Sequence, residues 1–253
     1  MRLGVILGFG LLLLACSPPQ ATGEAPPPTK VATEPTAIRP LAPSGAPAKA
    51  FPPPDRHVAD IVSPVWNSPS RREAAREIEQ IVERMSIAPG MTVADIGAGD
   101  GFVSVRLAPI VGPRGRVIAQ DVMPDYLRRL DAEARRRGLS NITLALGDPH
   151  DPRLPARSLD AAILIHMYHE IEQPYGLLYN LAAALKPGAK VGVEDLERAT
   201  NRHGIPAALL RCEFEAVGYT YLSSAPMKGD LGYFSIFIAP TKPTPPDHIK
   251  PCR

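Results

Sequence analysis

Apolar positions follow two alternating rhythms between residues 70 and 240. Ala75, Ile78, Val82 and Met85 fall three and four apart, which puts them on one face of a helix. Ser70 and Glu73 before them have capping-box spacing, and Pro89-Gly90 closes the segment. Residues 91–96 form a short apolar run, read as a strand, followed by a glycine-rich turn and a helix reaching Ala108. The alternation continues with strands at 116–120, 142–146, 159–165 and 189–193, and helices at 125–137, 175–185 and 205–216. The run at 159–165 is almost wholly apolar, as in a strand buried on both faces. Two late strands, 219–223 and 233–239, have only the turn through Lys228-Gly229-Asp230 between them and are expected to pair antiparallel. Strands separated by helices run parallel through crossovers. The expected fold is therefore α/β: a doubly wound, mostly parallel seven-stranded sheet of Rossmann-like type with an antiparallel C-terminal hairpin. Ligands of such sheets bind beyond the carboxyl ends of the strands.

Composition changes the picture at the ends of the chain. The 253 residues include 30 prolines, about 12% against a usual value near 5%. They concentrate where no hydrophobic period exists, from residue 17 to about 54 and again from Thr241. Such segments bury too little surface to offset their ordering entropy. The expected organisation is a leader at 1–15, a Pro-rich tether at 16–65, the folded domain at 66–240 and a flexible tail at 241–253. A net charge of +2 gives no electrostatic case for nucleic acid as a partner. Cys212 and Cys252 are able to pair in an oxidising compartment.

The leader itself has the order of an export signal. Arg2 precedes an apolar run from Leu3 to Leu14, too short for a comfortable membrane span of about 20 residues. Leu13-Leu14-Ala15-Cys16 resembles the bacterial lipobox. The resemblance implies cleavage before Cys16, lipidation of that cysteine, and attachment to a membrane through the lipid. With Ser17 rather than Asp next, the outer membrane and its periplasmic face are the expected location. The alternative is an uncleaved amphipathic anchor.

The chemistry sits at the strand ends. The first strand runs into Asp95-Ile96-Gly97-Ala98-Gly99-Asp100-Gly101. A dinucleotide loop would be G-x-G-x-x-G with a pyrophosphate on the helix N-terminus. Here the spacing is G-x-G-x-G with two flanking carboxylates, which repel a phosphate and suit a cationic ligand. S-adenosylmethionine carries an ammonium and a sulfonium and no phosphate. Asp121 ends the second strand, placed to accept from ribose hydroxyls. Asp148 follows the third, placed to accept from the adenine amine.

With these motifs, residues 70–240 resemble the class I S-adenosylmethionine-dependent methyltransferase superfamily, through VADIGAGDGF, VIAQDV, GDPHDPRLP, SLDAAILIHMYHEI and ALKPGAKVGVED. The resemblance implies S-adenosylmethionine as donor, with Asp95, Gly97, Gly99 and Gly101 along its methionine half. Asp121 and Val122 would hold ribose and adenine, Asp148 the adenine amine, and His166 would pack against the ligand. Pro149 lacks the N–H that many relatives offer adenine. His169 and Glu170, after the fourth strand, are the candidate catalytic residues, because a histidine near pKa 6.5 suits a base. Arg71 and Arg72 are candidates for the donor's carboxylate, and Trp66 and Tyr126 are read as packing residues. No metal site is expected, although Glu194 and Asp195 end the fifth strand near the histidine pair. The expected activity is methyl transfer to a small-molecule or lipid-associated acceptor. The alternative is a membrane-anchored module that binds the donor without turnover. Export of the protein and a donor made in the cytosol are in tension.

Overall fold

The computed structural model describes residues 37–63 and 65–253, together with Met1 and Gly4. The lipobox and Cys16 lie outside the described residues. Seven strands form one sheet in the order β3-β2-β1-β4-β5-β7-β6. They are β1 Thr92–Ile96, β2 Arg116–Asp121, β3 Ile142–Leu146, β4 Leu159–Ile165, β5 Leu185–Asp195, β6 Thr220–Pro226 and β7 Tyr233–Ile238. The pairs among β1 to β5 are parallel, and β7 runs antiparallel to both β5 and β6. The α/β class, the seven strands and the terminal hairpin are as the patterning predicts.

The sheet is covered on both faces because successive side chains of a strand point opposite ways. Ala162 and Leu164 of β4 enter one core, while Ala161, Ile163 and Ile165 enter the other. The first core lies under α5 Pro174–Ala184 and α6 Ala207–Val217; the second lies under α2 Glu77–Met85 and α3 Ser104–Val111. A third cluster joins α4 Pro124–Arg136 to β2 and β3.

The first predicted helix is two. Ser68, not Ser70, is the N-cap: its hydroxyl accepts from the Arg71 N–H at 3.3 Å, ahead of α1 Pro69–Ala74. Arg76 then takes a left-handed conformation at φ 54° and separates α1 from α2. The break lets Arg72 turn inward to meet the first buried side chain of α2, Glu77, at 2.6 Å.

Both ends of the domain differ from expectation. Residues 37–63 are not a free tether but a strap laid along the domain. Leu41 N–H donates to the Arg153 carbonyl, Gly45 N–H to Asp151 Oδ2, and Ala46 N–H to Asn180 Oδ1. Gly45 is required by this approach, since a Cβ there would lie 2.4 Å from Asn180 Oδ1. Phe51 is buried against Tyr179, with ring centroids 5.3 Å apart. Arg56 reaches the carbonyls of Tyr168 and His169 and pairs with buried Glu213 at 2.8 Å. The tail from Thr241 is likewise seated. Ile249 enters the first core, and Cys252 forms a disulfide with Cys212 of α6. Proline keeps these segments out of the sheet, and acceptors on the domain take N–H groups of both, among them Leu41, Gly45, Ala46, Thr244 and Cys252.

Candidate active site

A cavity opens at the carboxyl ends of β1, β2 and β4. Parallel order ends these strands together, and the reversal between β1 and β4 leaves a crevice there. Gly97 and Gly99 form one wall. Gly97 has φ +70°, and a Cβ on it would lie 2.8 Å from Met167 Cγ, which also lines the cavity. Only glycine keeps both that turn and that space.

Asp121 forms the next part of the wall. It is 6% exposed; Oδ2 accepts from the Gly99 N–H and Oδ1 from the Met123 N–H, each at 2.9 Å. These bonds tie the second strand to the glycine loop and leave each oxygen a further lone pair for a ligand. Burial raises its pKa, opposed by the backbone donors. Val122 and Asp148 also line the cavity. Asp148 shares its carboxylate with Arg153 Nη1 at 3.0 Å and is the more exposed acid. Pro149 lies beside it.

Asp95 and Gly101, predicted contacts of the donor, stand behind the loop rather than in the cavity wall. Asp95 is 2% exposed and accepts from Ser104 Oγ at 2.6 Å, which pins the loop to the start of α3. Burial pushes its carboxyl up to about 6, with the Ser104 hydrogen bond opposing. Gly101 allows Leu130 to pack against the loop, 2.5 Å from where a Cβ would sit. Arg71 and Arg72 do not reach the cavity either. Arg72 is committed to Glu77 and lies over the rings of Trp66 and Phe102. Arg71 lies outside, 3.8 Å from exposed Asp230.

The far wall comes from the segment after β4. His166 lines the cavity with a positive φ of 52°. Its Nε2 lies 3.1 Å from the Leu231 carbonyl and 3.3 Å from Glu194 Oε1. Donation to the carbonyl makes the ring the Nε2–H tautomer, and burial drives its pKa well below the usual histidine value. Burial, and after it the neighbouring Glu77, raises the pKa of Glu194 well above the usual carboxylate value. Trp66 stacks on His166 with centroids 3.4 Å apart, so both rings belong to the cavity rather than to packing alone. Tyr126 and Gln120 also line it.

The two candidate catalytic residues are separated by orientation. Glu170 lines the cavity, and burial pushes its pKa up to about 7. His169 is 3% exposed and lies outside the cavity wall. Its Nδ1 is 2.9 and 3.0 Å from the two oxygens of Asp195, and its Nε2 is 3.9 Å from Glu170 Oε1. Nδ1–H is thus fixed by Asp195, and Nε2 is the free nitrogen. His203 faces the same ring edge-on at 5.7 Å. Sequence reading missed Ile61, Ser63, Gln120 and Met167 as lining residues, and His203. Gln120 and Met167 stand inside the quoted stretches VIAQDV and SLDAAILIHMYHEI, at strand ends, and could have been flagged by that position.

Comparison with known proteins agrees with this geometry. The methyltransferase-domain family model matches residues 93–188, which run from β1 into β5. Nocamycin O-methyltransferase of Saccharothrix syringae is 31% identical over 125 residues, 48% of this chain and 42% of that protein. The chain thus spans less than half of that relative's length. A SAM-dependent methyltransferase from Aquifex aeolicus superposes with a TM-score of 0.59 at 21% identity, over 68% of this chain and 98% of that one. The [4+2]-cyclase SpnF gives 0.57 at 21% identity, over 71% of this chain and 70% of that one. The family model identifies a methyltransferase domain over residues 93–188, and the solved structures, at 21% identity, share its fold. The cyclase shows that the fold alone does not settle the reaction.

Proposed function

We propose that this chain transfers the methyl group of S-adenosylmethionine to a small-molecule or lipid-associated acceptor. The observation that carries this reading is the crevice itself, where the Gly97–Gly99 turn meets the buried Asp121 carboxylate. Gly97 and Gly99 would take the methionine half, Asp121 the ribose hydroxyls, and Val122, Tyr126 and Asp148 the adenine end. The donor supplies a methyl group already activated at a sulfonium. The chain's own residues bind and orient, and positioning alone lowers such a barrier by about 7–11 kcal/mol in well-oriented systems. His166 and Trp66 close one wall and exclude water. Glu170 and the Asp195-oriented His169 are the polar groups assigned to the acceptor side. Catalysis is favoured over a silent binding module by the matched family and by this polar wall beside the cavity.

Isothermal titration with S-adenosylmethionine, S-adenosylhomocysteine and NAD tests the reading. Binding is expected for the two adenosyl compounds and not for NAD. Asp121→Asn is expected to weaken it at least tenfold, about 1.4 kcal/mol, through loss of a charged acceptor. Binding of neither adenosyl compound would overturn it, and donor binding without labelled methyl transfer to envelope extracts would favour the binding module.

We also propose that the protein is held in the cell envelope through a lipidated Cys16. The Cys212–Cys252 disulfide supports an oxidising compartment. Fractionation of the wild type against Cys16→Ser checks this, with membrane-bound and released protein expected respectively. Soluble cytosolic protein in both would remove the anchor.

A further inference from the structure

On the acceptor side of the cavity, His169 and Glu170 stand together with His203, which the donor reading does not use. Each offers a ligand atom, and the three atoms lie within 4.8 Å of one another. The elements converge from separate places. His169 and Glu170 share the 3-10 turn Tyr168–Glu170 after β4, and His203 follows the turn Thr200–Arg202 after β5. His203 holds a left-handed φ of 52°, a conformation uncommon outside glycine.

The orientation of His169 is the second, independent observation. Its Nδ1 is held by both oxygens of Asp195, and Asp195 Oδ1 also accepts from the Leu196 N–H at 2.7 Å. A carboxylate holding one imidazole nitrogen is what aims the other at a metal ion, fixing the tautomer and raising ligand basicity. Nε2 then points toward Glu170, 3.9 Å away. Donor atoms in a tetrahedral zinc site, with bonds of about 2.0–2.1 Å, stand about 3.3 Å apart.

We infer that His169 Nε2, Glu170 and His203 bind one divalent transition-metal ion, with Asp195 as the orienting carboxylate. Two imidazoles and one carboxylate favour zinc or its neighbours over magnesium and calcium, which prefer oxygen. Three protein ligands leave a position open, the arrangement of sites that bind a further molecule rather than only hold a fold. Glu170 also lines the cavity, so the ion would stand at its acceptor wall. The meaning of that position rests on the methyltransferase reading, but the ion's binding does not. A second cluster, Glu77, His166 and Glu194, is a poorer candidate, because the Arg72 guanidinium already occupies Glu77 at 2.6 Å.

Equilibrium dialysis of the full chain against micromolar Zn2+, without S-adenosylmethionine, tests the site. One zinc per chain is expected, with no retention of Mg2+ under the same conditions. His203→Ala and Glu170→Gln are each expected to weaken zinc at least tenfold, and Asp195→Asn about 10–100-fold. Co2+ in place of zinc should give visible absorption that His203→Ala removes. No retained zinc would overturn the inference. So would unchanged affinity in both His203→Ala and Glu170→Gln, or loss of zinc only in Glu77→Gln, which would put the ion in the other cluster. Thermal melts of each variant separate lost binding from lost folding. Because no donor is present, failure here leaves S-adenosylmethionine titration unaffected, and failure of that titration leaves the zinc result standing.

Discussion

Asp95 carries a cost that its neighbours only partly offset. Its folded pKa, about 6, stands above the ordinary carboxylate value of 3.8 because burial disfavours the charge. Between those values the folded state binds the extra proton, so stability falls as pH rises from about 4 to about 6. A gap of about two pKa units corresponds to roughly 3 kcal/mol. Asp95→Asn keeps an acceptor for Ser104 and cannot ionise. Urea unfolding at pH 4 and pH 6 is expected to show the wild type losing roughly 2 kcal/mol relative to this variant, the part of the shift that falls in that window; equal pH dependence in the two would refute the assignment. Gly97→Ala tests the loop on the other side. With φ at +70° and Met167 Cγ in the way, the variant is expected to lose stability by at least about 1 kcal/mol. It is also expected to weaken S-adenosylhomocysteine binding in a titration. Gly97, Gly99, Asp121, Val122 and Asp148, which line the cavity, were legible as residues because a tight strand–helix turn and acids at strand ends are written locally. That Asp95 stands behind the loop and not in the wall was not legible. Side-chain direction there depends on α3, which supplies Ser104 nine residues later.

The strap shows how an element without regular structure gains a fixed place. Its proline content excludes ladder hydrogen bonds, so its order comes from partners far along the chain. Arg56 is the main one: it joins the strap to Glu213 on α6 and to the turn that carries His169. Both members of the pair are buried, with side-chain exposures of 3% and 0%. Removing the cation leaves Glu213 uncompensated, a loss of about 3–5 kcal/mol in comparable pairs. Arg56→Ala is therefore expected to lower the urea midpoint and to increase hydrogen exchange at residues 168–170. A change confined to residues 37–63 would show that the strap is an independent unit. Patterning misjudged this element because it measures whether a segment can bury its own apolar face. It cannot register that polar atoms of Asp151, Asn180 and Glu213 await its backbone and Arg56. The capping-box spacing at Ser70 likewise misplaced the helix start, where Ser68 is the cap and Pro69 takes the first helical position.

Strap and tail close over the same layer, which gives the molecule a clasp. The Cys252 N–H donates to the Tyr175 hydroxyl at 2.9 Å, Ile249 enters the core, and the disulfide to Cys212 closes a loop of 40 residues. A cross-link of that span typically contributes about 2–4 kcal/mol, chiefly by restricting the unfolded chain. Cys252→Ser, or reduction of the wild type with dithiothreitol, is expected to cost a similar amount in urea unfolding. Wild type and variant are expected to coincide once both are reduced. An unchanged midpoint on reduction would show that the tail's packing suffices without the bond. Across the molecule, the order of helices and strands, the parallel sheet with its terminal hairpin, and the glycine loop with its row of acids were set by amino-acid order alone. Periodicity, turn chemistry and crossover handedness act over a few residues or one crossover unit, so they can be read along a line. Which sides of those elements meet was settled only in three dimensions. The strap on α6, Trp66 against His166, Asp195 behind His169 and His203 beside Glu170 each join residues 26 to 157 apart or carried on different turns. Such contacts are fixed by the simultaneous packing of the whole core, and no local rule encodes them.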